Sequence, residues 1–222
     1  MHNSLFDWSE FAEFYTEYII FVFSTPTGQI CTKLVKYKSG RQTTCPKDWK
    51  RFERPSGGWC MQVFRQDNTD FFKSIRFCQE KDAVPSGIQN VEERDWITKT
   101  ATNVIGASSG SIWIGAVRNP QCVGKKLSAT CSQKTAFEWG EISVSGTAGF
   151  TWLDSSQPDN AHGSTQNCIV LFASAKTVKH KNVDWWPGAL DDVSCTPSEW
   201  DNPGPRALRG VVCGRFSSDN DN

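Results

Sequence analysis

The sequence has no excess of charge of either sign. Its 222 residues carry 24 acidic and 24 basic side chains. A nucleic-acid-binding protein shows a basic patch, and an acidic interaction tail shows a run of carboxylates. Neither pattern is visible, so we expect no nucleic-acid partner. The length suits one domain, with or without an appendage.

The sequence also lacks a clear membrane span or leader. The N-terminal apolar run, Tyr18–Phe23, has six residues, whereas a spanning helix needs about 20. A secretory signal peptide has a basic segment before its apolar core, but Asp7, Glu10, Glu13 and Glu17 precede this run. Three explanations stay open: an altered or incomplete N-terminus, an atypical signal, or a short extra helix and strand packed on the domain.

No C-x-x-C motif and no close cysteine–histidine group occurs, which argues against zinc. The nine cysteines therefore indicate disulfides and an oxidising, extracellular compartment. Eight cysteines allow 105 pairings, so connectivity stays open on arithmetic alone. Ten tryptophans and 17 glycines indicate a loop-rich fold with a bulky aromatic core.

Apolar periodicity predicts a first helix over residues 70–82. Phe71, Ile75 and Cys78 fall at i, i+4 and i+7 on one face. The segment that begins at Pro85 breaks this helix.

A second helix is predicted to start near Asn90. Asn90 and Glu93 have the spacing of a capping box, with Asn in place of the usual Ser or Thr. We expect Trp96 and Ile97 to face the core. Further along, the unbroken apolar run Cys168–Phe172 predicts a buried strand.

Residues Gly106–Gly110 match G-x-S-x-G, the motif of a hydrolase nucleophile elbow. That chemistry needs a strand before the serine and a helix after it. Here the predicted helix precedes Ser108 and the predicted strand, Ile112–Ala116, follows it. We therefore interpret the motif as a glycine-rich turn and expect no enzyme activity.

Three polar segments are expected to lie outside the core. Lys33–Arg41 is predicted to be a linker, and Ser217–Asn222 a disordered tail. Lys176–Lys181 is predicted to be a solvated basic loop, with contact to anionic glycans or surfaces as the alternative.

The stretch Trp152-Leu-Asp-Ser-Ser-Gln-Pro-Asp-Asn160 resembles the sugar-binding loop of the C-type lectin-like domain. Other segments resemble the remaining motifs of this family in the family's order: Trp49, Trp59-Cys60, Ile88–Ile97, the "WIGL" strand at Ile112–Ala116, Phe137–Trp139 and Val211–Cys213. The resemblance covers roughly residues 45–216.

The resemblance implies an α+β fold with two helices flanking small antiparallel sheets and a long irregular ligand-binding loop. It divides the chain into an N-terminal segment of uncertain structure (1–44), the domain (45–216) and a tail (217–222). As a single long-form, disulfide-rich domain, the chain is similar to the secreted C-type lectins abundant in nematodes.

The resemblance also implies a disulfide framework. Its pairs are Cys45–Cys60, Cys78–Cys213 and Cys168–Cys195, with Cys122–Cys131 as an additional local bridge. Cys31 is left over, and it is either a free buried thiol or a link between two chains of a homo-oligomer.

Sugar-binding members of the family hold one calcium ion with side chains that also bind the sugar. By position, the implied Ca²⁺ ligands are Gln157, Asp159, Gln166, Asp191 and Asp192. The implied carbohydrate-binding residues are Gln157, Asp159, Gln166, Asp191 and His162. Pro158 is expected to follow a cis peptide bond.

Two positions depart from the family pattern. Gln166 stands where Glu is usual, and Asp191 stands where Asn is usual, preceded by Leu190 instead of Trp. The set still has three carboxylates, which matter because ligand charge helps to set calcium affinity.

The resemblance therefore implies a secreted, calcium-dependent glycan-binding protein that recognises microbial or self glycans, as in innate immunity, without a strong preference for galactose. The alternative is a protein-binding module of the same fold that does not use calcium. Reversal of ligand binding by EDTA distinguishes the two.

Overall fold

The computed structural model describes residues 18–24, 30–36, 44–197 and 204–218. The predictions for residues 1–17, for 37–41 of the linker and for 219–222 of the tail lie outside these ranges. Ser217 N–H donates to the Gly58 carbonyl at 2.9 Å, and Ser218 N–H donates to that of Thr44 at 2.9 Å. The described structure thus continues two residues past the predicted end of the domain.

The N-terminal segment contains an antiparallel hairpin. Strand β1, Tyr18–Ser24, pairs with strand β2, Ile30–Lys36. The linker prediction is therefore wrong for residues 33–36. Cys31 lies in β2 opposite Phe23, and the state of its thiol stays a prediction.

One mixed sheet carries the domain. Its strands are β3 (Lys50–Arg54), β4 (Gly57–Arg65), β5 (Val84–Pro85), β6 (Ser109–Arg118), β7 (Phe137–Trp139), β8 (Cys168–Ser174), β11 (Leu190–Val193) and β12 (Leu208–Phe216). The main path runs β11-β8-β6-β12-β4-β3, with β5 beside β12 and β7 beside β6. The pair β6–β12 is parallel and the others are antiparallel. Every residue of β8 is buried, as predicted.

Helix α1, Phe71–Gln79, buries Phe71 and Cys78 on the predicted face. The Asp70 carboxylate caps it by accepting from Lys73 N–H at 2.7 Å. The helix ends earlier than predicted because the chain turns at Asp82, which has φ +52°.

Helix α2, Val91–Val104, begins at the predicted cap. Asn90 Oδ1 accepts from Glu93 N–H at 3.0 Å. Glu93 does not return the bond to Asn90; its carboxylate accepts from Gln89 N–H at 2.8 Å and pairs with the buried Arg54 at 2.7 Å. Ile97 is fully buried, while the partly buried Trp96 packs against the core.

The core lies between the sheet and the two helices, and two backbones approach each other closely at Gly115. The Gly115 N–H donates to the Ser86 carbonyl at 2.8 Å. A Cβ atom at Gly115 would lie 2.0 Å from the carbonyl oxygen of Pro85. The glycine of the "WIG" motif is therefore required by the close approach of two backbones.

All four predicted disulfides are present: Cys45–Cys60, Cys78–Cys213, Cys122–Cys131 and Cys168–Cys195. The α+β class is likewise confirmed. Gly106, Ala107 and Ser108 of the glycine-rich segment lie, as predicted, in the turn between the helix α2 and the strand β6, while Ser109 and Gly110 already belong to β6.

The lysines of the basic segment Lys176–Lys181 are exposed, as predicted, but residues 178–180 form a strand, so the loop prediction is wrong for these three. Strand β9, Val178–His180, pairs with strand β10, Val183–Trp185, in an antiparallel hairpin. Lys181 and Asn182 form its turn, with φ of +48° and +63°. Within the described residues, no helix has the length and apolar character needed to cross a bilayer.

Candidate ligand-binding loop

The loop between β7 and β8 carries four of the predicted site residues, Gln157, Asp159, His162 and Gln166, and β11 carries Asp191 and Asp192. The Gln157–Pro158 bond is cis, as predicted. Gln157 Oε1 accepts from Asp159 N–H at 2.9 Å, and Asp159 Oδ1 accepts from Ala161 N–H at 3.0 Å. Gln157 and Asp159 are both half-buried, so their side chains stand at the surface of the loop.

Asp192, on β11, ties this loop to the sheet. Its side chain is fully buried, and Oδ2 forms an ion pair with Arg118 Nη2. The carboxylate also accepts from Asp159 N–H at 3.1 Å and from Asn160 N–H at 2.9 Å. The charge of Asp192 is thus balanced by one guanidinium and two backbone donors.

Arg118, at the end of β6, was not singled out from the sequence. Its side chain is 1% exposed, and its Nε donates to the Gln166 carbonyl at 2.8 Å. The guanidinium carbon lies 4.4 Å from the Phe137 ring centroid. Arg118 therefore joins β6, the loop and β11 at one point.

Asp191 has a different partner. Its Oδ2 pairs with Arg206 Nη2, and the Arg206 guanidinium lies 3.9 Å from the Trp185 ring centroid. Successive side chains of a strand point to opposite faces, which is why Asp191 and Asp192 take different arginines. Arg206 lies in the short 3₁₀ turn Gly204–Arg206.

Gln166 is buried beside Asp192. Its Nε2 donates to the Asp192 carbonyl at 2.7 Å, and its N–H donates to Asn160 Oδ1 at 3.1 Å. Gln166 Oε1 is buried and has no hydrogen-bond partner among the described residues. His162 is exposed in the short turn α3, Ala161–Ser164, with φ +53°, so it lies at the rim of the loop.

The segment around the Cys122–Cys131 bridge supports the loop from outside. Asn160 Nδ2 donates to the Lys125 carbonyl at 2.9 Å, and Gln133 Nε2 donates to the Gln157 carbonyl at 2.7 Å. Trp152 Nε1 donates to the Gln133 carbonyl at 2.8 Å. The conformation of the loop is therefore set by bonds to its neighbours.

Burial is the largest influence on the pKa values of the neighbouring carboxylates of Asp191 and Asp192. It raises the pKa of Asp191 to about 7, against the opposing effect of Arg206. It raises the pKa of Asp192 to about 6, against the opposing effects of Arg118 and of the Asn160 N–H. Burial also lowers the pKa of Arg118, which Asp192 opposes. Above pH 7 both carboxylates are ionised and paired.

The donor set fits a calcium ion poorly. Calcium takes six to eight oxygens, but the carboxylates of Asp191 and Asp192 are engaged by arginines. A divalent cation at Asp192 would have to share that carboxylate with the buried guanidinium of Arg118. Among the described residues, no group of three or more His, Cys, Asp and Glu side chains could hold a metal. Of the five implied ligands, Gln166 alone has a buried side-chain oxygen, Oε1, without a hydrogen-bond partner among the described residues, and Asn167 Oδ1 beside it is in the same state.

These features together define a C-type lectin-like domain. The family profile described as C-type lectin domain-containing protein 141/158 matches residues 51–216, which is more than half of the chain. The chain therefore belongs to this C-type lectin domain family. None of the curated protein sequences matches it significantly.

Solved structures with a similar fold include three of different kinds. The mouse scavenger receptor C-type lectin carbohydrate-recognition domain has 20% identity and a TM-score of 0.47, covering 79% of this chain and 100% of that chain. The cow C-type carbohydrate-recognition domain of CD23 has 19% identity and a TM-score of 0.47, covering 79% and 98%. A calcium-independent type II antifreeze protein has 18% identity and a TM-score of 0.46, covering 78% and 95%.

Proposed function

We propose that this domain is an extracellular recognition module that binds a glycan or protein ligand without calcium. The observation that carries the proposal is the buried ion pair of Arg118 and Asp192. Two guanidinium groups, those of Arg118 and Arg206, take up the two adjacent carboxylates that calcium would need. The disulfide framework supports a secreted location.

The loop has a way to hold its shape without a metal. The Asp192 carboxylate accepts hydrogen bonds from two consecutive backbone N–H groups, those of Asp159 and Asn160. A carboxylate that accepts backbone N–H groups makes strong, charge-assisted bonds. The half-buried side chains of Gln157 and Asp159, together with the exposed His162, then offer amide, carboxylate and imidazole groups to a ligand.

Calcium-dependent glycan binding is the second candidate, and two observations favour it. The expected cis bond is present at Gln157–Pro158, and the buried oxygen of Gln166 lacks a partner among the described residues. This function needs Arg118 to release Asp192 when the ion binds. The absence of a strong preference for galactose and a role in immune recognition stay predictions.

The test is calcium titration of the full chain by calorimetry at pH 7.5, followed by a glycan array in calcium and in EDTA. We expect no saturable calcium binding up to millimolar concentrations and the same array profile in both buffers. Asp159→Asn serves as the matched variant, since it removes one implied ligand charge at a half-buried position. Saturable binding lost in this variant, with EDTA-reversible glycan capture, would replace our proposal by the second candidate.

A further inference from the structure

A second concave site lies apart from the loop. A cavity of about 710 Å³ is bordered by the C-terminal part of α2, the glycine-rich turn and the segment that joins β8 to β9. Its volume falls within the roughly 300–1,000 Å³ of ligand pockets. No residue of the predicted calcium and sugar site is among its lining residues.

The cavity is lined by two cationic side chains, Lys176 and Arg209. Of the described residues that line it, none is acidic. The carboxylate of Asp67 lies 3.8 Å from Arg209 Nη1, and Asp67 is already paired with Arg65 at 2.7 Å. Lys176 is exposed, and the structure gives its ammonium group no ion pair with a described residue. Lys176 is therefore available to an anion, whereas an anion at Arg209 would share that guanidinium with Asp67.

The adjoining hairpin adds to the positive potential. Lys179 and Lys181 are exposed on the hairpin whose first residue, Val178, lines the cavity. The pKa of His180 is lowered, first by burial and then by Lys181 and Arg206. The hairpin also carries one acidic residue, Asp184, opposite Lys179, so that a net positive charge, reduced by Asp184, extends from the cavity onto the hairpin.

The remaining lining suits a sugar ring. Thr102 and Ser108 contribute hydroxyl groups, and Val178 and Pro205 contribute apolar surface. Ser108 is exposed, and its hydroxyl has no partner among the described residues. The Thr102 hydroxyl already donates to the Thr98 carbonyl at 2.8 Å, so it can only accept, whereas the Ser108 hydroxyl can donate and accept. These hydroxyls, the apolar surface and the two cations match a saccharide that carries anionic groups.

We propose that this cavity binds a sulfated glycan, with Lys176 and Arg209 holding its sulfate groups. A guanidinium binds such oxyanions through a fork of N–H donors, while an ammonium acts as a point charge. The site goes beyond the proposed function, because it shares no residue with the Arg118–Asp192 pair. Its failure would leave calcium-independent recognition by the loop untouched.

The test is binding of a heparin-derived oligosaccharide to the full chain by calorimetry in EDTA. The chemical control is the same oligosaccharide after desulfation, which keeps the carboxylates. The pocket variant is Lys176→Gln/Arg209→Gln. The matched variant is Lys125→Gln/Lys126→Gln, which removes two exposed positive charges from the Cys122–Cys131 segment.

We expect the wild-type chain to bind the sulfated oligosaccharide and to lose affinity as salt is raised. The pocket variant should bind about tenfold more weakly or worse, the loss expected for a hydrogen bond to a charged group. The matched variant should stay within about threefold of wild type, as expected for charges that make no direct contact. Arg209→Lys, which keeps the charge, should recover part of the loss.

Four results would overturn the assignment. They are absence of binding by the wild-type chain, equal binding of the desulfated oligosaccharide, an equal loss in both double variants, and equally effective competition by inorganic sulfate. The single variant Lys176→Gln is the control for misfolding of the double variant, because Lys176 is exposed and its replacement should leave the fold intact. A single-variant loss with an unchanged melting temperature would support the site.

Discussion

Replacing Arg118 by Met tests whether an internal cation holds the ligand-binding loop. The substitution keeps the approximate length of the side chain but removes its charge. It leaves the carboxylate of Asp192 fully buried without its guanidinium partner. It also removes the 2.8 Å bond from Nε to the Gln166 carbonyl. We expect a large loss of stability with little change in the distant parts of the fold.

The magnitude follows from burial. Breaking a buried ion pair by removing one partner costs about 3–5 kcal/mol, because the other charge stays buried. For a domain of this size, 1 kcal/mol corresponds to about 2–4 °C in melting temperature. Arg118→Met should therefore lower the melting temperature by about 10 °C. Asp192→Asn should cost a similar amount, since it leaves the guanidinium unpaired.

The double variant Arg118→Met/Asp192→Asn should cost clearly less than the sum of the two single losses. A coupling energy of at least about 2 kcal/mol is expected for groups in one buried network. Urea unfolding of the oxidised protein measures all four members of the cycle, in EDTA and in calcium. Arg65→Met is the matched control: its pair with Asp67 is largely exposed, so the loss should stay below about 1 kcal/mol.

The reasoning is refuted if the two single losses simply add, or if each stays below about 1 kcal/mol. It is also refuted if calcium raises the melting temperature of the wild-type chain as much as the ion pair does. In that case the metal, and not Arg118, would be the cation that stabilises the loop.

Three further predictions concern pH, one disulfide and one glycine. Folded Asp191 has a pKa raised to about 7, so it binds its proton more tightly than the unfolded chain does. Its contribution is therefore complete below about pH 4 and is lost as the pH rises through 7. In urea unfolding, the stability of wild type relative to Asp191→Asn should increase by up to about 1.4 kcal/mol per pH unit between pH 7 and 5; a flat difference contradicts this. Cys122→Ser/Cys131→Ser opens a short loop (sequence separation 9) and should lower the free energy of unfolding in denaturant by about 2–3 kcal/mol. An unchanged denaturation midpoint would contradict this. Gly115→Ala places a Cβ 2.0 Å from the Pro85 carbonyl oxygen. We expect this overpacking to abolish folding or to lower the free energy of unfolding by more than about 3 kcal/mol. A thermal unfolding curve like that of wild type would show instead that the two backbones can separate.

Local rules account for the parts of the fold that the sequence predicts well. The cap at Asn90 depends on a side chain three residues from its partner, and the buried face of α1 depends on a fixed helical spacing. The disulfides are different in kind, because arithmetic leaves their pairing open. They could be predicted only through the resemblance to a known family.

The ion pair could not be predicted in this way. Arg118 and Asp192 are 74 residues apart in the sequence, and no local pattern relates them. One signal was available: Arg118 is the last residue of β6 and follows the apolar run Ile112–Val117. A charged residue that continues an apolar strand needs a buried partner, but the sequence does not say which of several acidic residues will lie opposite.

The basic hairpin of β9 and β10 is a second feature that the sequence does not predict. A two-residue turn with positive φ at both positions usually carries Asn-Gly or a similar pair. Here the turn is Lys181-Asn182, so only its second residue tolerates the left-handed region well. The basic run Lys176–Lys181 therefore looked like a solvated loop, although Val178 and Val183 flank the turn with strand-forming residues.

The charge balance of the loop includes two arginines as well as three carboxylates. The prediction of calcium binding from the sequence depends on three negative charges, those of Asp159, Asp191 and Asp192. Arg118 and Arg206 are paired with two of them, which leaves a net charge of −1 on these five groups. A Ca²⁺ ion about 4 Å from a guanidinium meets a repulsion of about 8 kcal/mol at an effective dielectric constant of about 20, and one carboxylate at that distance offers an attraction of equal size. A carboxylate oxygen that binds calcium lies closer than this, about 2.4 Å from the ion, so Arg118 offsets part of the attraction of Asp192 for calcium and does not cancel it.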